Sequence, residues 1–402
     1  MTLPGLVLLA AALAASDPAQ EARRLAAEPP PTGEVPARLV RVALFEGAGT
    51  PVRLKGPWTG GGKIWTESVN VERSGSLVKV SGRGQSAEAA SIDLSGGDRF
   101  CLGSRCFRGV ARIVASGTGI AVVNVVDIED YLLGVVPGEI GRHLDPRFLE
   151  AAKAQAVVAR TYSLRALGQY GNKPWDLRDD VRDQVYDGAQ GEDSLCSGAV
   201  RATAGQILVD SIGRPVDAYY HSGSGGHTAD IADVWPSKTI QPYLRGVPDT
   251  APDGRAWGGA APTGAWTETW TARELHASVR QNLSDAICRK VDPGEVVSLR
   301  LEGRDSSGRA RKLVVTARNG TFEVEADRIR WALRRTTKGN PILRSTRFEL
   351  RTEGTHYIAE GTGNGHGVGL SQNGAMGRSY AGQNCRQILL SYYPGTTLRN
   401  IP

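Results

Sequence analysis

Ile-Ala-Val-Val-Asn-Val-Val at 120–126, running into Asp-Ile-Glu-Asp-Tyr-Leu-Leu-Gly-Val-Val-Pro-Gly-Glu-Ile at 127–140, decides the architecture. The β-branched run reads as a strand. Asp127 then suits an N-cap, because its carboxylate can accept from an orphan N–H of the turn that follows. Ile128, Tyr131, Leu132 and Val135 fall at i, i+3, i+4 and i+7, one face of a helix. Pro137-Gly138 is expected to stop that helix, which leaves Glu139 just past its end.

A second helix is expected from Asp145-Pro146, an N-cap followed by proline at the first helical position, to about Leu167 before Gly168. It is rich in alanine. Phe148, Ala152, Ala156, Ala159 and Ser163 give it a small-residue face for close packing, while Arg147, Glu150 and Lys153 point elsewhere. Upstream, 39–120 alternates β-branched runs with glycine clusters, as short strands and turns do. Core motifs occupy 121–248, with strands at 205–210 and 216–221. Residues 249–347 read as a second unit, with a helix over 271–282 and strands at 295–301 and 312–316. The arginine-rich run 327–335 reads as a helix with a solvated basic face. Residues 348–402 return to the first unit. The fold class is α+β, a β-rich two-unit fold with a substrate groove and a long alanine-rich helix.

The 402 residues are 40% hydrophobic, ample for a buried core. A net charge of +6 and a pI near 9.1 favour anionic partners. Without a zinc-finger spacing, an RNP-type aromatic motif or a basic helix with heptads, no nucleic-acid partner is expected. Residues 1–14 form an apolar run ending in small residues, the pattern of a signal peptide, although no Lys or Arg precedes it. Residues 15–37, with Pro29, Pro30 and Pro31 in a row, read as a flexible tether. The expectation is therefore an exported protein, peripheral to a membrane at most. Cys101 and Cys106 can close a small loop across a turn; Cys196, Cys288 and Cys385 then leave one thiol unpaired.

Locally, Glu139 has two readings: a partly desolvated carboxyl that keeps its proton near neutral pH, as a general acid needs, or an exposed turn residue. His221 and His227 flank the glycine-rich 222–226 and invite a zinc reading, but no cysteine lies between them and the ligands are too few, so no cofactor is expected. Gly-Asn-Gly-His-Gly-Val-Gly-Leu-Ser-Gln at 363–372 lacks the Gly-Lys-Ser/Thr ending of a phosphate-binding loop. Its glycines permit close backbone approach, and His366, Ser371 and Gln372 can hydrogen-bond a polar ligand. Arg160, late on the alanine-rich helix, can pair with a carboxylate of ligand or protein, and Tyr162 lies beside it. Gln184 and Tyr186 serve either as groove contacts or as turn packing.

Read together, 125–140 and Leu-Glu-Ala-Ala-Lys-Ala-Gln-Ala-Val-Val-Ala-Arg-Thr-Tyr at 149–162 resemble the sporulation stage II protein D (SpoIID/LytB, amidase enhancer) family. Further motifs match in order: Gln-Val-Tyr-Asp-Gly at 184–188, Ala-Thr-Ala-Gly-Gln at 202–206, Tyr-His-Ser-Gly-Ser-Gly-Gly-His-Thr at 220–228, and 363–375. The resemblance implies a lytic transglycosylase acting on the MurNAc–GlcNAc bond of peptidoglycan, with its acid/base glutamate at Glu139. A wall glycan with lactyl carboxylates also suits the basic charge. Arg160, Tyr162, Gln184, Tyr186, His221, Ser222, His227, His366, Ser371 and Gln372 are then expected to line the groove, and a cell-wall amidase is a possible partner. A non-catalytic enhancer of an amidase and a hydrolytic muramidase, needing a second carboxylate such as Asp127, Asp130, Asp145 or Asp183, are the alternatives.

Overall fold

Gly119–Asp127 is the middle strand of a five-stranded sheet ordered Leu177–Arg178, Leu39–Gly47, Gly119–Asp127, Val110–Ser116, Ser91–Leu94. The computed structural model describes residues 38–48, 52–55, 58–65, 67–96, 98–258, 264–335, 339 and 341–401. The expected signal peptide and tether lie outside the described residues. All pairings in this sheet are antiparallel except that of Leu177–Arg178, which joins the edge in parallel. A six-stranded antiparallel sheet from the opening region packs with it, and Val71, Val78, Val80, Ile92, Leu94 and Ile113 share one core. In its last hairpin Cys101 faces Cys106 and the two form a disulfide, as expected from the turn between them.

Asp127 caps the next helix as expected, its Oδ1 accepting from Glu129 N at 2.8 Å. The helix does not stop at Pro137, however; it spans Ile128–Ile140 with Pro137 inside, so Glu139 sits in its last turn and not beyond it. Proline removes one N–H and clashes toward the preceding turn. Here only three residues follow it, Gly141 N still bonds Pro137 O at 3.1 Å, and the helix is buried along nearly its whole length. Packing outweighs the local penalty.

The alanine-rich helix spans Leu149–Arg165, preceded by a 3₁₀ turn at Pro146–Phe148 that Asp145 caps. Its small side chains let it contact the Glu139 helix, Ser194–Ala202 and both C-terminal helices, Gln372–Tyr380 and Cys385–Tyr392. Arg160, wholly buried, forks onto both oxygens of Glu129 at 2.6 Å each and donates to Gln206 O at 3.1 Å. Gly205 N completes the shell on Glu129 Oε1 at 3.1 Å. This residue, expected to line the groove, is thus enclosed by protein and ties two helices to the strand Gln206–Val209.

The second unit has its own core, in which Trp270, Leu275, Val279, Leu283, Leu313 and Val315 are buried together. Around it lie the helix Ala272–Ala286, with a full capping box at Thr271, and two three-stranded sheets. Phe348–Glu353 and His356–Thr362 belong to the sheet that Ala265–Thr271 starts, so the chain leaves this unit near Gly363 and not at residue 347. The arginine-rich run also differs from expectation. Only Ile329–Ala332 is α-helical, and Arg330 is buried: its guanidinium reaches Leu343 O at 2.8 Å and Asp327 at 3.0 Å. Backbone carbonyls satisfied a guanidinium that the charge pattern assigned to water. The strand read over 216–221 shortens to Tyr220–His221, which pairs in parallel with Leu370–Ser371.

Breaking the Glu129–Arg160 fork strands a buried cation, which costs about 3 kcal/mol or more. Glu129→Ala is expected to lose about that much in a urea titration while Arg147→Ala, at an exposed pair, loses under about 1 kcal/mol. Equal losses would show that the fork is not a structural tie.

Candidate active site

Gly134 and Gly138, four residues apart, lie on one face of the Glu139 helix. A Cβ on Gly134 would meet the Tyr186 ring at 2.7 Å, and one on Gly138 would meet Val185 O at 2.9 Å. The bare stripe therefore lets 184–188 lie against the helix, and Val185 N donates to Glu139 Oε1 at 2.7 Å. Tyr220 and Gln372 also hydrogen-bond the Glu139 side chain. They are delivered as neighbours by the parallel pairing of Tyr220–His221 with Leu370–Ser371.

Gln184 orients this cluster from beneath. Wholly buried, it accepts from Ser163 Oγ at 2.8 Å and donates through Nε2 to the Tyr220 hydroxyl at 3.2 Å. With that lone pair used, the Tyr220 proton is free to point at Glu139. Burial pushes the Glu139 carboxyl above the ordinary range, and the Asp187 charge adds to this, while the hydrogen bonds from Val185, Tyr220 and Gln372 oppose it. Those partners act as donors to the carboxylate.

Beside Tyr220 stands an aromatic group. Tyr162 packs edge-on against Tyr219 and Tyr220 at 6.4 and 6.5 Å, and its hydroxyl bonds Asp183 at 3.2 Å. His366 stacks on Trp235 at 4.9 Å and lies 5.5 Å from His221. His366 Nδ1 accepts from Val368 N at 3.1 Å, and burial holds the ring near pKa 4, hence neutral. Burial likewise depresses His221, with the His366 and Arg309 charges adding to it. Its Nδ1 gives its proton to Val368 O at 3.2 Å, leaving Nε2 as a bare lone pair without a protein partner.

The remaining expected residues are placed differently. Ser371 is fully buried and caps the helix Gln372–Tyr380 by accepting from Gly374 N at 3.1 Å. Tyr186, also buried, bonds Asn124 of the central strand at 3.0 Å and packs against Phe107 and Tyr131. With Arg160, these side chains support the site from within and present no surface to a ligand. Ser222 contributes its carbonyl to Asn373 N at 2.9 Å, and His227 turns Nδ1 to Thr228 O at 2.7 Å. Zinc needs about four ligands. Among the described residues no three metal-capable side chains converge, and Cys196 lies apart, against Gly141 O. Tyr220, Val185, Asp187 and Trp235 were not singled out from sequence. Tyr220 adjoins His221 in a quoted motif, and that adjacency was the one signal for it.

The SpoIID family model, stage II sporulation protein, matches residues 116–209, which hold Glu139, Gln184 and Val185. A domain of unknown function, DUF8618, matches 263–369, close to the second unit. The chain is 28% identical over 309 residues to an uncharacterized protein of Brachyspira hyodysenteriae, covering 75% of this chain and 74% of that one. It is 30% identical to the amidase enhancer of Bacillus subtilis over 66% of this chain, spanning 40% of that longer protein. It is 28% identical to stage II sporulation protein D of Bacillus amyloliquefaciens, over 69% of this chain and 75% of the relative.

A raised carboxyl pKa makes a pH-dependent contribution to stability. The folded state holds the Glu139 proton more tightly than the unfolded chain, so this contribution is complete below the ordinary value of 4.5 and is lost as pH rises through the raised one. The melting temperature of Glu139→Gln relative to wild type is expected to climb over that window and level off above it. A flat difference from acid to neutral pH would show that the carboxyl is not perturbed. Residues 116–209 thus match the SpoIID family, and the chain is similar over most of its length to an amidase enhancer and to stage II sporulation protein D.

Proposed function

We propose that this chain cleaves the glycan strands of peptidoglycan as a lytic transglycosylase, with Glu139 as its one acid/base. The observation that carries the reading is a desolvated carboxyl whose named protein partners are hydrogen-bond donors. Such a group gives its proton to the glycosidic oxygen between MurNAc and GlcNAc as the C1–O4 bond breaks. Left as a carboxylate, it is restabilised by Val185 N–H, Tyr220 and Gln372. It then takes the proton of the muramyl C6 hydroxyl as that oxygen closes on C1, giving a 1,6-anhydro end. No water is consumed and no second carboxylate is required, unlike ordinary glycoside hydrolysis.

The neighbouring carboxylates support one-carboxyl chemistry because they hold structural posts. Asp127 and Asp145 cap helices, Asp183 binds Tyr162, Tyr170 and the Arg178 N–H, and Asp130 lies 3.8 Å from Arg108. Hydrolysis is the second reading, and Asp187 favours it: its charge reaches Glu139, though Arg142 holds it in an ion pair. The relatives' names, amidase enhancer and stage II sporulation protein D, support a cell-wall role for this chain and an amidase as its partner. The substrate places it outside the cytoplasm. No helix among the described residues is long and apolar enough to cross a membrane.

Purified glycan strands digested by wild type, Glu139→Gln and Asp187→Asn, with the new ends identified by mass, separate these readings. Anhydro-muramyl ends from wild type, lost by at least about a hundredfold in Glu139→Gln, are expected. Asp187→Asn should keep the activity and move the alkaline limb of its pH profile to lower pH, because a neighbouring negative charge is gone. Reducing ends that vanish in Asp187→Asn would establish hydrolysis instead. Equal stimulation of an amidase by wild type and Glu139→Gln, without new glycan ends, would establish the enhancer.

A further inference from the structure

An open cleft of about 510 Å³ lies between the start of the alanine-rich helix, the start of Cys385–Tyr392 and the last strand, Thr397–Asn400. It is separate from Glu139. Lys153 lines the cleft, whereas Gln155 reaches Gln372, the partner of Glu139, across 3.5 Å. Lys153 and Gln155 are two positions apart, about 200° around a helix, so these side chains leave opposite faces.

The charge lining the cleft is unbalanced. Glu150 is already satisfied, accepting from Lys153 Nζ at 2.8 Å and from Cys385 N at 2.6 Å. Arg386 and Arg399 are exposed and, among the described residues, meet no carboxylate. Elsewhere in this arginine-rich chain guanidiniums find acidic partners repeatedly, as Arg41, Arg105, Arg108 and Arg112 do. Burial pushes the Cys385 thiol up to about 12, so it adds no negative charge. The cleft therefore offers two free guanidinium forks, whose geometry matches carboxylates.

We propose that this cleft is a second binding site, which holds a carboxylate-bearing stretch of wall polymer through Arg386 and Arg399 while Glu139 acts on the other side of the helix. The ligand class rests on the proposed glycan chemistry; the site rests on the cleft and its free cations. Its carboxylates come from muramyl lactyl groups or from stem peptides.

The test uses the full chain carrying Glu139→Gln, so that strands bind without being cut, with and without the pair Arg386→Ala/Arg399→Ala. Retention is measured across a salt series on peptide-free glycan strands, whose carboxylates are lactyl, and on strands that keep their stem peptides. About tenfold weaker binding and a flatter salt dependence are expected from the pair. The parent should lose as much on strands whose carboxylates are converted to neutral amides. Soluble stem peptide that competes assigns the peptide as the source; failure to compete assigns the lactyl group. Unchanged retention of the arginine variant on both kinds of strand, unchanged binding to amidated strands, or displacement by inorganic phosphate in preference to carboxylates overturns the proposal. Failure of the lytic reading is distinguishable, because wild type would then make no anhydro ends while the arginine pair still governed retention.

Discussion

The buried guanidinium of Arg309 joins the second unit to the loops that carry the site. Arg309 leaves the strand turn at 305–309 and is enclosed, with no carboxylate hydrogen-bonded to its head. It donates instead to His227 O and Ser224 O, each at 2.9 Å, and to Ser307 Oγ at 2.8 Å. A charge is tolerated there only because these acceptors replace its water. Burial lowers its pKa to about 10, which leaves it charged at neutral pH. That charge has two consequences. It fixes the run 224–227, beside which Tyr220–His221 pairs with Leu370–Ser371. It also disfavours a proton on His221 and on His366. Gly367 is required at this point: a Cβ there would stand 2.5 Å from the guanidinium, and its φ of +91° suits glycine.

With the imidazoles neutral, Glu139 is the acid in this cluster whose proton burial holds above the ordinary carboxyl range. Tyr220 and Tyr162 are buried phenols whose pKa values are raised further, so they donate hydrogen bonds and keep their protons. The chain Ser163 to Gln184 to Tyr220 fixes the direction of the last donor in advance. Preorganised donors of this kind cost no reorientation when a carboxylate forms. Burial, which favours the acid, and the donor shell, which favours the base, act in opposite directions on this carboxyl, as the proposed acid/base role requires.

Patterns of burial were legible in the sequence because hydrophobic periodicity reports them directly. The central strand, the Asp127 cap, the apolar face of the Glu139 helix and the alanine-rich helix all appear where periodicity and cap chemistry placed them. Glu139 was singled out through its motif, while its burial and its donors became visible only in the fold. What stayed hidden depends on partners distant in sequence. Arg160 looked like a ligand contact because nothing in its neighbourhood announces Glu129, 31 residues away. Arg330 looked solvated because a backbone carbonyl 13 residues on carries no signature. Asp187 and Tyr220 acquire meaning only when the chain brings them to Glu139, and Arg309 only when a second unit docks. The helix end was misjudged for a related reason: proline was weighed by its local cost, without the burial that surrounds it.

Pro137 and Gly138 serve one geometry. The fixed φ of proline restricts the backbone in the turn before Glu139, and Gly138 removes the side chain that would hold Val185 away. Together they allow the amide of Val185 to reach a carboxylate on the last turn of a buried helix. A glutamate placed beyond the helix end would reach solvent and keep an ordinary pKa. One held a turn deeper would be sealed from any ligand. The last turn is where a carboxyl can be dry on its protein side and open on the other, and the proline-glycine pair keeps it there.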